Sequence, residues 1–355
     1  MSWEKSVRRV NPYVPGEQPK NKNIIKLNTN ECPYPPAPAV NTLIENMKYE
    51  DMRLYPDPEA EVLVEALSRY YDVPEDQIFV GVGSDDVLSM AYLTFFNSDK
   101  PVLFPDITYS FYDVWAELYK VPYEQIPLDE NFKIRFEDYY EENHPNGGVI
   151  IANPNAPVGI FEPVSEIEKV IAHNPNSVCI IDEAYIDFGG ESALPLIEKY
   201  DNVLVVQTFS KSRAMAGMRI GYAFGSKKLI GYLKDAKFSF NSYTMNRPSL
   251  ELGVAAIKDD VYFKETCAKI INTRERVKKE LAELGFTFPD SKANFIFAKH
   301  EKVSGEELFL ALKEAGIYVR HWNAERISDY LRITIGTDEE MDKLVAFLKD
   351  YLSEK

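Results

Sequence analysis

Val203-Leu-Val-Val-Gln-Thr208-Phe-Ser210-Lys211-Ser-Arg213-Ala-Met-Ala-Gly217-Met-Arg219-Ile-Gly221-Tyr222 decides how this chain is read. The stretch opens on an apolar run of strand length and presents a lysine just beyond the strand end. A lysine attacks a carbonyl only as the free amine, so its pKa must fall, through burial or a cationic neighbour. Arg219, if it lies nearby, would be such a neighbour and would bind an anion as well. The plainer alternative for Lys211 is a solvated surface side chain.

Working outward, short apolar runs recur at Ile78–Val82, Pro101–Phe104, Tyr123–Ile126, Val149–Ala152, Val178–Ile181 and Ile220–Phe224. Helical patterns lie between most of them, at Asp85–Phe96, Phe111–Leu118, Val164–Ala172 and Ala193–Lys199, with two more ahead at Ala39–Met47 and Glu59–Tyr71. Continuous apolar strands separated by helices predict a mostly parallel central sheet flanked by helices, an α/β large domain over residues 39–245. The texture changes after Asn246. Leu250–Leu284 reads as a long helix with a possible break, ended by Gly285. Strands at Phe295–Ala298, Tyr318–Arg320 and Leu331–Ile335 follow, with helices at Gly305–Ala315 and Glu339–Leu352, a smaller α+β domain over 246–355. Residues 1–38, rich in Asn and Pro, read as an extended arm that joins the small domain.

With 355 residues the chain fits two domains, and 45% hydrophobic with 27% charged residues is ordinary globular composition. A net charge of -16 argues against general nucleic-acid binding, while a local cationic pocket for small anions stays possible. Cys32, Cys179 and Cys267 form no CxxC pair and no disulfide framework. Met1–Val10 lacks the apolar core of a signal peptide, and no apolar run approaches a membrane span. The expectation is a soluble, cytoplasmic protein without a membrane partner.

In open α/β sheets ligands gather at the carboxyl ends of the strands, and four polar clusters fall there. Asp182-Glu-Ala-Tyr185 follows one strand. A carboxylate at a buried strand end needs a cationic partner, and a protonated pyridine nitrogen would serve; a helix-capping Asp with a packing Tyr is the alternative. Gly83-Ser84-Asp85 offers backbone N–H groups to a phosphate at a helix start, or is a plain N-cap. The Gly81-Val-Gly83 pair is a weak dinucleotide signal, since Asp86 stands where a third glycine belongs. Tyr109, just after a strand, could stack on a flat cofactor or pack as one of 22 tyrosines. The fourth cluster is Asn153-Pro-Asn155-Ala156-Pro-Val158-Gly159.

Together these segments, nearly the whole chain, resemble the fold type I pyridoxal 5'-phosphate (PLP) aminotransferases. Ser210-Lys211 with Arg219 is similar to that family's Schiff-base segment, and Asp182-Glu-Ala-Tyr185 to its pyridine-binding segment. Leu27-Asn-Thr-Asn-Glu31, Tyr34-Pro-Pro, Arg53-Leu-Tyr55-Pro-Asp57-Pro, Gly83-Ser84-Asp85 and Leu331-Arg332-Ile-Thr-Ile-Gly336 are similar to signatures of its histidinol-phosphate branch. The resemblance implies that Lys211 carries PLP, that Asp182 pairs with the ring nitrogen, that Tyr185 meets the phenolate oxygen and that Tyr109 stacks on the ring. It implies phosphate contacts from Ser84, Asp85, Ser210 and Arg219, and from Tyr55 of a neighbouring subunit, hence a homodimer. Substrate contacts fall to Arg320, Arg332 and Tyr13, and the reaction implied is transamination between L-histidinol phosphate and 2-oxoglutarate in histidine biosynthesis. The chain departs from the family's pattern at Ala156, where an Asn often hydrogen-bonds the phenolate oxygen. Asn155, next door, is counted with the cofactor residues, and geometry decides whether it compensates. Cys32 also stands where an Asn is common.

An aminotransferase for aromatic amino acids and a threonine-phosphate decarboxylase share these cofactor residues. A non-catalytic PLP-binding regulator lacks support, as the chain has no appended helix-turn-helix or basic patch. A nicotinamide dehydrogenase would leave Lys211 unexplained.

Overall fold

A computed structural model describes residues 3–21, 23–353 and 355; Met1, Ser2, Lys22 and Glu354 lie outside it, so the arm is followed from Trp3. The arm is extended and holds one short strand, β1 (Ile25–Lys26). Helices α1 (Pro38–Asn46) and α2 (Glu61–Tyr71) follow. The second begins later than the pattern predicts, because Asp57 accepts from the Glu59 and Glu61 amides and Ala60 is left-handed at φ 57°. Next come β2 (Ile78–Val82), α3 (Ser84–Phe95), β3 (Val102–Pro105), α4 (Tyr112–Tyr119), β4 (Tyr123–Ile126), β5 (Gly148–Ala152), α5 (Val164–Ala172), β6 (Val178–Asp182), β7 (Val203–Thr208) and β8 (Ile220–Gly225).

These strands form one seven-stranded sheet in the order β2-β8-β7-β6-β5-β3-β4. All run parallel except β8, which lies antiparallel between β2 and β7. Successive side chains face opposite sides. Val149, Ile151, Val203 and Val205 enter one buried layer, and Ile150, Ile180, Leu204 and Val206 the other. Both faces are covered, which is why β5, β6 and β7 are apolar along their whole length.

Beyond the sheet the chain forms α6 (Lys227–Phe240), which the sequence reading did not anticipate. Ser226 Oγ caps it by accepting from the Leu229 amide, and Leu229, Ile230 and Leu233 are its buried apolar side chains. The predicted long helix is two: α7 (Arg247–Lys258) and α8 (Asp260–Glu283), broken at Asp259, which caps the second. The Ala193–Lys199 pattern is a 3-10 segment, Leu194–Glu198, with a proline in its first turn. Then follow β9 (Phe286–Thr287), β10 (Phe295–His300), α9 (Gly305–Glu314), β11 (Ile317–Tyr318), β12 (Arg320–His321), β13 (Leu331–Thr334) and α10 (Asp338–Ser353). The strand predicted at Tyr318–Arg320 is divided between two sheets. β11 pairs in parallel with β1 of the arm, and β12 joins a four-stranded sheet of order β12-β13-β10-β9. Leu27 of the arm lies in the apolar cluster beneath this second sheet. No helix of the described residues is long and apolar enough to cross a membrane.

Candidate active site

The carboxyl ends of β2, β3, β5, β6 and β7 open onto two adjoining cavities of about 170 and 390 Å³. They share Thr29, Tyr109, Ala156, Tyr185 and Lys211, so they meet at the lysine. No other lysine of the described residues lines either one.

Lys211 is held from both sides. Ahead of it, the Thr208 hydroxyl accepts from the Ser210 amide at 3.1 Å and bonds the Ser210 hydroxyl at 3.0 Å. Behind it, the Ser212 hydroxyl donates to the half-buried Asp187, and the Arg213 guanidinium lies 3.9 Å from the Phe263 ring centre. Among the described residues its own Nζ makes one hydrogen bond, to Thr29 O at 3.3 Å.

In the smaller cavity Asp182 ends β6, 5% exposed. Oδ2 accepts from the Tyr112 hydroxyl at 2.7 Å and Oδ1 from the Ala184 amide at 3.2 Å. Burial pushes its carboxyl up to about 6, with those two donors pulling the other way. A buried carboxylate held by two neutral donors, and bonded to no cation among the described residues, is the partner a protonated ring nitrogen requires. At the opposite end the first amides of α3, at Ser84 and Asp85, have no partners within the helix. Gly83 sits at φ 82°, and a Cβ there would strike the Arg219 guanidinium. Arg219 Nη2 pairs with Asp85 Oδ2 at 2.9 Å, and Ser210 and Thr208 line the same end. Helix-start amides, two hydroxyls and a guanidinium suit a phosphate. The residues present therefore fit pyridoxal phosphate, with Lys211 between the ring end and the larger cavity. Tyr109 walls both cavities, its hydroxyl bonded to Asp85 Oδ1 at 2.8 Å, and burial pushes its phenol well above the ordinary value.

The larger cavity is the cationic pocket that the net charge left possible. Arg332 bonds Asn28 O at 2.9 Å, while its Nε is buried without a partner among the described residues. Burial holds its pKa below the ordinary arginine value. Arg320 makes no ion pair among the described residues; its fork grips the arm, donating to Val14 O at 3.0 Å and Pro15 O at 3.3 Å. Tyr13 on that arm stacks on Phe111 at 4.1 Å. Trp322 lies under both arginines, 5.3 Å from Arg320 and 5.2 Å from Arg332.

Two expected residues stand apart. Tyr55 is 79% exposed, its ring tilted against Tyr243, and it lines neither cavity of its own chain. Asn155 lines neither cavity. Its amide is spent on the loop after β3, accepting from Thr108 Oγ1 at 2.8 Å and donating to Ile107 O at 2.9 Å, so it does not make up for Ala156. Among the cavity residues that the sequence reading did not single out are Thr208, Glu31 and Trp322. Two supporting residues escaped it too. Tyr112 bonds Asp182, and Asn30 donates to the Tyr185 hydroxyl at 2.9 Å. Their signals were faint: Tyr112 follows Tyr109 by three residues, and Asn30 lies inside Leu27-Asn-Thr-Asn-Glu31.

Comparison with known proteins agrees with this geometry. The aminotransferase class I and II family model matches residues 22–348. The histidinol-phosphate aminotransferase of Lactococcus lactis subsp. cremoris (strain MG1363) is 54% identical over 355 residues, covering 100% of this chain and 99% of that protein. The crystal structure of histidinol-phosphate aminotransferase from Sinorhizobium meliloti, in complex with pyridoxal-5'-phosphate, superposes with a TM-score of 0.85 at 26% identity, covering 93% of this chain and 91% of that one. The enzyme from Clostridium acetobutylicum has the same fold, with a TM-score of 0.86 at 24% identity over 94% of this chain and 100% of its own. By fold, by the residues at its strand ends and by sequence along its whole length, the chain belongs to the class I and II aminotransferases and, within them, to the histidinol-phosphate aminotransferase family.

Proposed function

We propose that this chain transfers the amino group of L-histidinol phosphate to 2-oxoglutarate, giving imidazole-acetol phosphate and L-glutamate, with Lys211 as the catalytic residue. The observation that carries the reading is the meeting of the two cavities at Lys211. One holds a buried carboxylate, and the other holds a half-buried guanidinium whose buried Nε has no partner among the described residues. Bound there, PLP supplies an electron sink for the substrate carbon that bears the amino group.

The protein's part is to bind, orient and move protons. Lys211 Nζ holds the cofactor between turnovers; once freed, it serves as the base for the proton on that substrate carbon. Asp182 keeps the ring nitrogen protonated, Tyr185 donates to the phenolate oxygen and Tyr109 stacks on the ring. Ser84, Asp85, Ser210 and Arg219 hold the phosphate. Arg332 and Arg320 receive the substrate's phosphate, and in the other half-reaction the carboxylates of glutamate, because a guanidinium fork suits both anions. Tyr13 closes the arm side.

The test is a half-reaction. PLP-loaded protein mixed with L-histidinol phosphate should convert rapidly to the pyridoxamine form, and much more slowly with L-phenylalanine. An Arg332→Ala variant should lose most of that preference. The reverse order of rates would make the chain an aromatic aminotransferase. No conversion with either would favour the decarboxylase, which would release carbon dioxide from threonine phosphate.

The working unit is proposed to be a homodimer. Support comes from Tyr55, whose exposed ring lies against the exposed Tyr243 and lines neither cavity of its own chain. Sedimentation should give twice the chain mass at micromolar concentration. A monomer with full activity would remove Tyr55 from the phosphate site. Two domains are proposed within each chain, 39–245 carrying the cofactor and 246–355 joined by the arm, 1–38. The separate apolar cluster around Leu27, Ile296 and Leu344 supports this division.

A further inference from the structure

The Tyr185 hydroxyl has one proton to give and two lone pairs to receive with. One lone pair is taken by Asn30 Nδ2 at 2.9 Å. The orientation of the Asn30 amide is set from behind. The Thr334 hydroxyl accepts from the Asn30 backbone amide at 3.1 Å and so directs its own proton to Asn30 Oδ1, at 3.0 Å. A flipped amide would leave the Thr334 proton without an acceptor. Asn30 is 1% exposed and left-handed at φ 57°, and its carbonyl accepts from Asn294 Nδ2 at 3.0 Å. Its backbone and both ends of its side chain are thus fixed. With Asn30 donating, Tyr185 does not give its proton to Asn30, and among the described residues no other acceptor is bonded to it. Tyr185 lines both cavities, which leaves the proton free for an acceptor there. Against the same ring lies Ala156, a methyl group with nothing to donate.

We infer that Asn30, on the N-terminal arm, is a positioning residue that aims the Tyr185 proton at the cofactor's phenolate oxygen and stands in for the donor that Ala156 does not provide. A hydroxyl that accepts one hydrogen bond becomes a stronger donor in the next, so Asn30 also strengthens the bond it directs. The inference rests on the PLP reading above. It ties the arm to the electronics of the site: an arm that leaves takes the aim of Tyr185 with it.

Lys211, Arg332, Tyr13 and Tyr109 face Tyr185, and Glu31, Asp85, Asp182 and Arg219 line the same smaller cavity. None of them changes in the variants below, so a shift in titration reports the hydroxyl. The experiment is a pH titration of the absorbance of the lysine-linked cofactor, with PLP affinity measured on cofactor-free protein. Asn30→Ala should raise the midpoint pH by about half a unit, because less phenolate charge is stabilised, and weaken PLP binding about threefold. In a Tyr185→Phe background the same substitution should add nothing. Ala156→Asn should bring the midpoint of Asn30→Ala back down. An unmoved midpoint in Asn30→Ala, or an equal shift with and without the Tyr185 hydroxyl, overturns the inference. A wild-type chain that binds no PLP sinks the cofactor reading itself, which is a separate result.

Discussion

Lys211→Ala is expected to abolish the covalent attachment of PLP and to lower kcat by about 10⁴-fold, because it removes both the anchor and the proton-transferring base. The geometry makes this sharper than for an ordinary active-site lysine. No other lysine of the described residues lines either cavity, so no neighbour can take over the linkage. Among the described residues the amine makes a single hydrogen bond, to Thr29 O, and the segment around it is held by Ser210, Ser212 and Met215 rather than by the lysine itself. Unfolding free energy should therefore stay within about 0.5 kcal/mol of wild type. Borohydride reduction followed by intact mass is the direct check. The wild type should gain the mass of the cofactor and the variant should not. A variant that still gains it would assign the linkage to another residue and remove the ground for the proton-transfer role.

What the sequence revealed and what it hid divide along physical lines. The apolar runs of β5, β6 and β7 were readable because strands buried on both faces must be apolar throughout. α6 was not readable. Four lysines, an aspartate and a glycine interrupt its apolar pattern, so its helicity comes from packing Leu229, Ile230 and Leu233 inward. The reversal of β8 left no mark on its composition. It is imposed by the connection after β7, residues 209–219, too short for the crossover that a parallel neighbour requires. In the site, every segment ending a strand could be found, because one stretch of chain carries both the strand and the polar cluster. Asn30 and Tyr112 could not, as their partners lie 155 and 70 residues away and no local pattern encodes such pairings. Asn155 misled for the opposite reason. Its neighbour Ala156 does reach the cavity, but adjacent side chains leave the backbone in different directions, and one residue of offset decides which group meets the cofactor.

Asp182→Asn should have two effects of opposite sign. In the loaded enzyme it removes the charge that keeps the ring nitrogen protonated. An opposite charge at such range is worth about one to three pKa units, so kcat should fall by up to about 10³-fold. In the cofactor-free chain the same change should stabilise. The folded carboxyl is pushed up to about 6 from its ordinary 3.8, so the folded state holds that proton more tightly than the unfolded state. The stability it contributes is fully present below about pH 4. It is lost as the pH rises through 6, where the buried group must ionise. A rise from 3.8 to about 6 corresponds to about 3 kcal/mol, an upper bound on a cost that the neutral amide escapes. Glu183, pushed up to about 7 by burial, behaves likewise but is common to both proteins and cancels. Urea unfolding without cofactor should thus find the variant more stable at pH 8 and nearly equal at pH 4. Saturating PLP should narrow or reverse the gap at pH 8, because a ligand that needs the charge binds the wild type more tightly. A gap that ignores pH would mean that Asp182 is not the titrating group. A gap that ignores PLP would mean that no ring nitrogen meets it.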